Sequence, residues 1–251
     1  MTRKFGLENR KALVTGSVTG IGQAIAECFA AAGAGIVAHG LDPKAVQDRA
    51  AEWRSRGFDT CVSVADLEAP DGASRLKADL AAWGPLDILV LNASIEIPEI
   101  WEEVSLEAMQ KQSTVNLHAS LQLVQTFLPD MITRAWGRIL AIGSTQETRP
   151  NKQHILYAAT KAAQTNLILN LARNVRAANV TFNLLKPGVI STGRNAAALS
   201  DPERHRDILG RIPLGRIGQP DDCAGAALLL CSEEGRYING AELHVDGGFR
   251  L

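Results

Sequence analysis

Short apolar runs alternate along the whole chain with longer segments whose apolar residues recur at helical spacing. The runs predict strands at Lys11–Thr15, Ile36–Ala38, Thr60–Val64, Leu86–Leu91, Arg138–Ile142, Val180–Leu185 and Ala241–Val245. Leu86–Leu91 is apolar almost throughout, as expected of a strand covered on both faces. Helices are predicted at Ile21–Ala32, closed by Gly33, behind Asp42-Pro43, and at Glu68–Trp83. Further helices follow at Ser105–Met131, with Ser105 as cap, at Ile155–Ala178 and at Asp221–Cys231. Repeated strand–helix–strand order predicts one doubly wound α/β domain over residues 1–251. It has a parallel seven-stranded sheet and helices on both faces.

Two features of the pattern go beyond the sheet. Gly188 to Gly218 is a long irregular stretch after the sixth strand, read as a substrate loop with a small helical insert. The helices Ser105–Met131 and Ile155–Ala178 are apolar on more than one side. Leu117, Leu121, Leu123, Val124 and Leu128 mark one; Leu167, Ile168, Leu169 and Leu171 mark the other. One face of each covers the sheet, and the second predicts burial against another copy of the chain, in a homodimer or homotetramer.

Composition narrows the class. The chain has 251 residues, 46% of them hydrophobic, with 26 Lys+Arg against 27 Asp+Glu. That balance gives no basic footprint for nucleic acid and no patch for an anionic membrane. No uncharged run is long enough to span a bilayer. The charged stretch Met1–Lys11 and the short run Ala12–Val14 form no signal-peptide core. Cys28, Cys61, Cys223 and Cys231 form no CxxC pair and have no nearby His at ligand spacing. They read as buried thiols in a reducing cytoplasm, and no metal site is expected.

The chemistry begins at Thr15-Gly16-Ser17-Val18-Thr19-Gly20-Ile21-Gly22, between the first strand and the first helix. Gly16 permits a tight turn, Gly20 lets backbone approach a pyrophosphate, and Gly22 lets helix pack close to strand. The helix N-terminus adds free N–H groups and a positive dipole end. Tyr157 and Lys161 stand four apart on a helix and share a face. A free phenol is too weak an acid for proton transfer near neutral pH, and a neighbouring ammonium favours its ionised form. Ser144, just past the end of the fifth strand, is placed to hold a substrate oxygen beside the phenol. Asn116 lies mid-helix, where Asn is a poor helix former; it either caps a kink or organises a water.

On these residues the chain resembles the short-chain dehydrogenase/reductase family. The match runs from about Asn9 to Gly248. It adds Asp66, Asn92-Ala93, Pro187-Gly188, Thr192 and Val245-Asp246-Gly247-Gly248 to the motifs above. The resemblance implies a single Rossmann-type domain and an NAD- or NADP-dependent interconversion of a secondary alcohol and a ketone. It implies that Tyr157 exchanges the hydroxyl proton and that Lys161 activates it and holds the nicotinamide ribose. Ser144 would orient the substrate oxygen, and Asn116 would position a relay water. Asp66 and Leu67 would meet the adenine, Asn92 and Ala93 the adenosine side, and Ile190 and Thr192 the carboxamide. It also implies pairing of the two long helices in a dimer, with Val245–Leu251 packing in a tetramer. Ser94 departs from the family's Asn-Ala-Gly. It would be costly if that position needed a positive φ, and otherwise narrows the floor of the site.

Coenzyme choice is read at His39-Gly40-Leu41-Asp42. Gly40 fills the usual acidic position, Leu41 the usual arginine position, and Thr19 stands where phosphate-preferring members carry a base. With no base and Asp42 nearby, the stretch tips toward NAD, while His39 remains a candidate phosphate partner. For substrate, Glu96, Glu99, Gln146, Glu147, Arg149, Asn151, His154, Arg194 and Asn195 form a polar surround. Glu96, Gln146, Glu147, His154 and Arg194 are the candidate substrate contacts. Such groups suit a sugar, polyol or hydroxy acid. A 3-oxoacyl thioester is the alternative within the class. A non-catalytic dinucleotide sensor is the alternative outside it, although a sensor needs no such tetrad.

Overall fold

The computed structural model describes residues 4–251, so Met1, Thr2 and Arg3 of the charged N-terminal stretch lie outside the described residues. Seven strands form one parallel sheet: β1 (Lys11–Val14), β2 (Gly35–Gly40), β3 (Thr60–Val64), β4 (Ile88–Leu91), β5 (Gly137–Ile142), β6 (Val180–Pro187) and β7 (Glu242–Val245). Their order is β3-β2-β1-β4-β5-β6-β7. The order reverses direction between β1 and β4, and open α/β sheets bind ligands in the crevice at that switch.

Alternation along the strands builds two cores. Ala12, Val14, Ile88 and Val90 point to one face and meet Ile25 and Phe29 of α1 (Gly20–Ala31), Val46 and Trp53 of α2 (Pro43–Ser55), and Ala227 and Leu230 of α9 (Pro220–Cys231). Leu13, Leu89 and Leu91 point to the other. There they meet Leu76 and Leu80 of α3 (Gly72–Leu80), Phe127 and Met131 of α5 (Ala119–Thr133) and Ile168 of α6 (Ile155–Asn174). Burial on both faces explains why the strands read as apolar runs. Among the described residues no helix is long and apolar enough to cross a membrane.

Three departures from the predicted boundaries have local causes. The third helix starts at Gly72, not Glu68, because Pro70 and the Asp71 cap precede it. The helix predicted over Ser105–Met131 is α4 (Leu106–Ser113) and α5 joined by a π-turn at Thr114–His118. Ser105 caps α4 by accepting from the Ala108 N–H at 3.1 Å. The 188–218 stretch carries two short helices, α7 (Ala196–Ser200) and α8 (Pro202–Gly210).

Candidate active site

A cleft of about 1500 Å³ lies at the switch point, bordered by the phosphate turn, the ends of β2, β4 and β5, the start of α6, and the 188–218 loop. It is larger than the roughly 300–1,000 Å³ of a single small-ligand pocket, and so has room for a dinucleotide and a substrate together.

The phosphate turn is built for close approach. Gly16 and Gly20 hold φ +66° and +58°, where a side chain would be strained. A Cβ on Gly22 would lie 2.4 Å from the Gly16 carbonyl oxygen. Thr19 makes no side-chain cap, so the first N–H groups of α1, from Gly20, Ile21 and Gly22, are left open toward the cleft. These features fit a bound pyrophosphate. Thr192 sits against Gly20, its Cγ2 3.3 Å from where a Cβ would stand. Pro187 ends β6, and a Cβ on Gly188 would lie 2.7 Å from Cα of Asp246, which explains why both glycine motifs meet here. Gly40, Leu41, Asp66, Leu67, Asn92, Ala93 and Ile190 all border the same cleft.

Asn92 and His39 both make internal ties. Asn92 turns its amide onto the Thr15 carbonyl at 2.8 Å, while Thr15 Oγ1 accepts from the Asn92 and Ala93 N–H groups. It stitches the end of β4 to the turn after β1. His39 is buried, and its Nδ1 accepts from the Gly16 N–H at 2.9 Å. Burial drives its pKa down to about 4. It is therefore neutral and committed to the turn, which corrects its reading as a phosphate partner.

The four candidate catalytic residues converge on the cleft's inner end. Ser144 caps a short 3₁₀ turn: its Oγ accepts from the Gln146 N–H at 3.1 Å, and its own N–H donates to Glu147 Oε1 at 2.9 Å. Tyr157 is 6% exposed. Burial pushes its phenol above the usual value, Arg194 is the chief opposing charge, Glu96 adds to the rise, and the Ser144 and Ser94 hydroxyls oppose it. Lys161 is 1% exposed. Its Nζ donates to the Ile142 carbonyl at 2.7 Å and to Gln164 Oε1 at 3.0 Å, and stands 6.0 Å from the Tyr157 ring centre. Burial, then the Arg194 charge, pulls its pKa down to about 7. Lys161 is thus one turn from the phenol, as its spacing predicts, but its amine is anchored to the sheet. Asn116 lies inside the π-turn. Its Nδ2 donates to the Ile95 carbonyl and to Thr160 Oγ1, and its Oδ1 accepts from the Ile95 N–H. The amide therefore fixes the loop after β4. π-turns of this kind cluster at functional sites.

Of the candidate substrate residues, Glu96, Gln146, His154 and Arg194 line the cleft and Glu147 does not. His154 Nδ1 lies 2.9 Å from Glu96 Oε1 and 2.9 Å from Gln146 Nε2. The His154 hydrogen bond and charge, then Arg194 and Lys161, outweigh burial and hold the Glu96 carboxyl below its usual range. Glu147 is buried instead, bonded to the Ser144 N–H, Thr165 Oγ1 at 2.6 Å and Lys186 Nζ at 2.7 Å. A carboxylate three residues after an N-cap serine closes a capping box, which is the physical reason it turns inward. Ser94 holds no positive φ, so it carries no backbone strain. Its carbonyl and Oγ accept from Arg194 Nη2 at 2.7 and 3.0 Å. Sequence reasoning missed Gln164, which shares the face of Lys161 at i+3, and Phe249, which the C-terminal Gly-Gly turn brings to the cleft.

A family model described as enoyl-(acyl carrier protein) reductase matches residues 16–250. The 2-dehydro-3-deoxy-D-gluconate 5-dehydrogenase of Bacillus subtilis (strain 168) is 36% identical, covering 98% of this chain and 96% of that one. The 3-oxoacyl-[acyl-carrier-protein] reductase FabG of Escherichia coli (strain K12) is 35% identical, covering 98% and 100%. A crystal structure of a gluconate 5-dehydrogenase from Burkholderia cenocepacia J2315, in complex with NADP and tartrate, superposes with a TM-score of 0.92 at 32% identity, covering 98% and 96%. With the glycine turn, the serine–tyrosine–lysine site and these matches along nearly its whole length, the chain belongs to the short-chain dehydrogenase/reductase family of NAD(P)-dependent oxidoreductases.

Proposed function

We propose that the enzyme interconverts a secondary alcohol and a ketone on a small polyhydroxylated substrate, such as a sugar acid, polyol or hydroxy acid. The observation that carries this reading is the polar arc of Gln146, His154, Glu96 and Arg194 beside Ser144 and Tyr157. Hydroxyl groups entering the cleft meet donors and acceptors there, and an analogue lacking them leaves those groups unpaired. The sugar-acid relatives support the same class.

The bound nicotinamide supplies the hydride donor or acceptor. The open N–H groups of α1 would hold its pyrophosphate, with Thr192 and Ile190 beside it. Ser144 Oγ, whose acceptor side is used by Gln146, has its hydroxyl proton left to hold the substrate oxygen. Tyr157 gives its phenol proton to the developing alkoxide in reduction and takes it back in oxidation.

NAD is the preferred coenzyme on this reading. His39 is neutral, Leu41 carries no charge, and the Asp42 carboxylate caps α2 by accepting from the Lys44 N–H. Among the described residues, the last positions of β2 and Leu41 after it carry no fixed positive charge to meet a 2′-phosphate. Four free thiols fit a reducing cytoplasm. The apolar face of α5 and α6 supports a homodimer or homotetramer.

One assay tests the reading. Purified enzyme is given polyols, aldonates and hydroxy acids with NAD⁺ and NADP⁺, and 3-oxoacyl thioesters with NADH and NADPH. Turnover of polyhydroxylated substrates is expected, with the higher kcat/KM for NAD. Tyr157→Phe should lose about 10²-fold or more in turnover while still quenching with NADH. Turnover of thioesters alone would refute the substrate class, and a tenfold advantage for NADP the coenzyme reading. A Tyr157→Phe enzyme as active as the parent would remove Tyr157 from the chemistry.

A further inference from the structure

Tyr157 is touched by a cation that its sequence neighbours do not supply. Arg194 Nη1 lies 3.4 Å from the phenol oxygen, and the guanidinium carbon is 5.8 Å from the ring centre. The Lys161 amine, in contrast, is tied to the Ile142 carbonyl and Gln164. Arg194 comes from the 188–218 loop, in the short turn Gly193–Asn195, and not from α6. It is held by the Ser94 carbonyl and hydroxyl, and its Nε lies 3.8 Å from Glu96 Oε2. Ser94 stands where the sequence pattern leads one to expect glycine, and a glycine there could offer only its carbonyl. The extra hydroxyl and the arginine therefore form one unit.

We propose that Arg194, seated on Ser94, is a second activating cation for the Tyr157 phenol, so that the proton donor is poised by the substrate loop as well as by its own helix.

A guanidinium stays protonated through the working pH range, so Arg194 neither gives nor takes the proton. It stabilises the phenolate left when that proton passes to the substrate alkoxide, and in oxidation it favours the phenolate that receives the hydroxyl proton. The charged and titratable groups around the phenol divide by sign. Arg194 opposes the effect of burial and Glu96 reinforces it; Ser144 and Ser94 offer hydrogen bonds. Lys161 stands on the same helix, and His154, just before it, pairs with Glu96. Burial, then the Arg194 charge, pulls the Lys161 pKa down to about 7, so its positive charge weakens as pH rises through neutrality, whereas a guanidinium keeps its charge. The guanidinium thus supplies positive charge at pH values where the lysine has begun to lose it. Because Arg194 is on the loop, the phenol is most acidic when that loop is seated over the site.

The inference rests on the reading of Tyr157 as the proton-exchanging group but on no particular substrate, and its first test needs none. The chain has 2 tyrosines, and the other, Tyr237, is fully exposed. In a Tyr237→Phe background, ultraviolet difference titration follows Tyr157 alone, with and without coenzyme. Arg194→Met should raise the phenol midpoint by about one pH unit, the low end of the range for a charge at this distance given its partial exposure. Arg194→Lys should recover most of that shift, and Ser94→Gly should give a smaller rise. With coenzyme and the best substrate from the assay above, the acid limb of kcat in oxidation, where the phenolate is lost, should move up by the same amount. That makes Arg194→Met about tenfold slower below the limb. A phenol midpoint and kcat limb unchanged in Arg194→Met, with only KM raised, would overturn the proposal and make Arg194 a substrate contact. A rise in Arg194→Met that is just as large in Arg194→Lys would overturn it as well, since charge would then not be the cause. Failure of the substrate assay leaves the titration readable, so the two readings fail separately.

Discussion

The imidazole of His39 sits beneath the phosphate turn, where its neutral form is required. Nδ1 accepts from the Gly16 N–H, so protonation there would set two donors against each other. Burial is the main cause of its pKa of about 4, against about 6.5 in the unfolded chain. Between those values the unfolded chain binds the extra proton, so folded stability falls as pH drops from about 6.5 to about 4 and is complete above that window. The full difference is on the order of 3 kcal/mol. Urea unfolding at about pH 7 and about pH 5 should show the loss. His39→Asn, which cannot titrate, should flatten that slope; an unchanged slope would assign the acid sensitivity elsewhere. At this scale the sequence is least legible. Residue type and spacing place His39, Asn92, Asn116 and Glu147 at the site. They do not say that each turns its polar atoms onto backbone, because that depends on which buried N–H or C=O lacks a partner once the strands have assembled. Ser144, Tyr157 and the glycines were legible because their motifs impose geometry directly.

At the scale of elements, the segment from Ser144 to Glu147 shows how a short turn is made rigid enough for catalysis. Glu147 bonds the Ser144 N–H and pairs with Lys186 of β6, itself 3% exposed and also bound to Glu242 of β7. Two strands and the serine turn are thereby joined through one buried carboxylate. Glu147→Ala leaves a buried amine with a single partner and a backbone N–H with none, at a cost of about 2–4 kcal/mol. For a chain of this size that lowers Tm by roughly 5–15 °C. Thermal denaturation checks the size of the effect. Turnover measured well below the new Tm should still be reduced, because Ser144 has lost its anchor; full activity there would make Glu147 a stability residue alone. Hydrophobic periodicity located the seven strands and the long helices, because strands buried on both faces and helices buried on one leave strong patterns. It missed the π-turn, which does not interrupt the apolar stripe. It overran α3 and α6, whose ends are set by Pro70 and by Val175, extended at φ −79° and ψ 104°.

For the molecule as a whole, what the fold leaves uncovered is the outer side of α5 against α6. Leu121 and Ile132 are 39% and 42% exposed, and with Val124, Leu128, Pro129 and Leu171 they line a shallow apolar groove whose one polar lining side chain is Gln125. Leu106 and Met109, on the α4 turns before them, are exposed as well. The inner sides of the same helices cover the sheet through Leu123, Phe127, Met131 and Ile168, and Val124 and Leu128 belong to that core as well, so the surplus apolar surface is that of Leu121 and Ile132. A contiguous apolar face of this kind costs free energy in water and is repaid by burial against a like surface, and a net charge of −1 offers little repulsion between copies. A two-fold axis beside the groove would set α5 and α6 against their counterparts, burying each apolar residue twice. Light scattering on the eluting protein should give two or four times the chain mass. Ile132→Asp with Leu121→Asp should lower that mass. A parent protein that elutes as a monomer at micromolar concentration would mean that the groove serves some other surface. The outer helix face would then need an occupant other than a second copy of the chain.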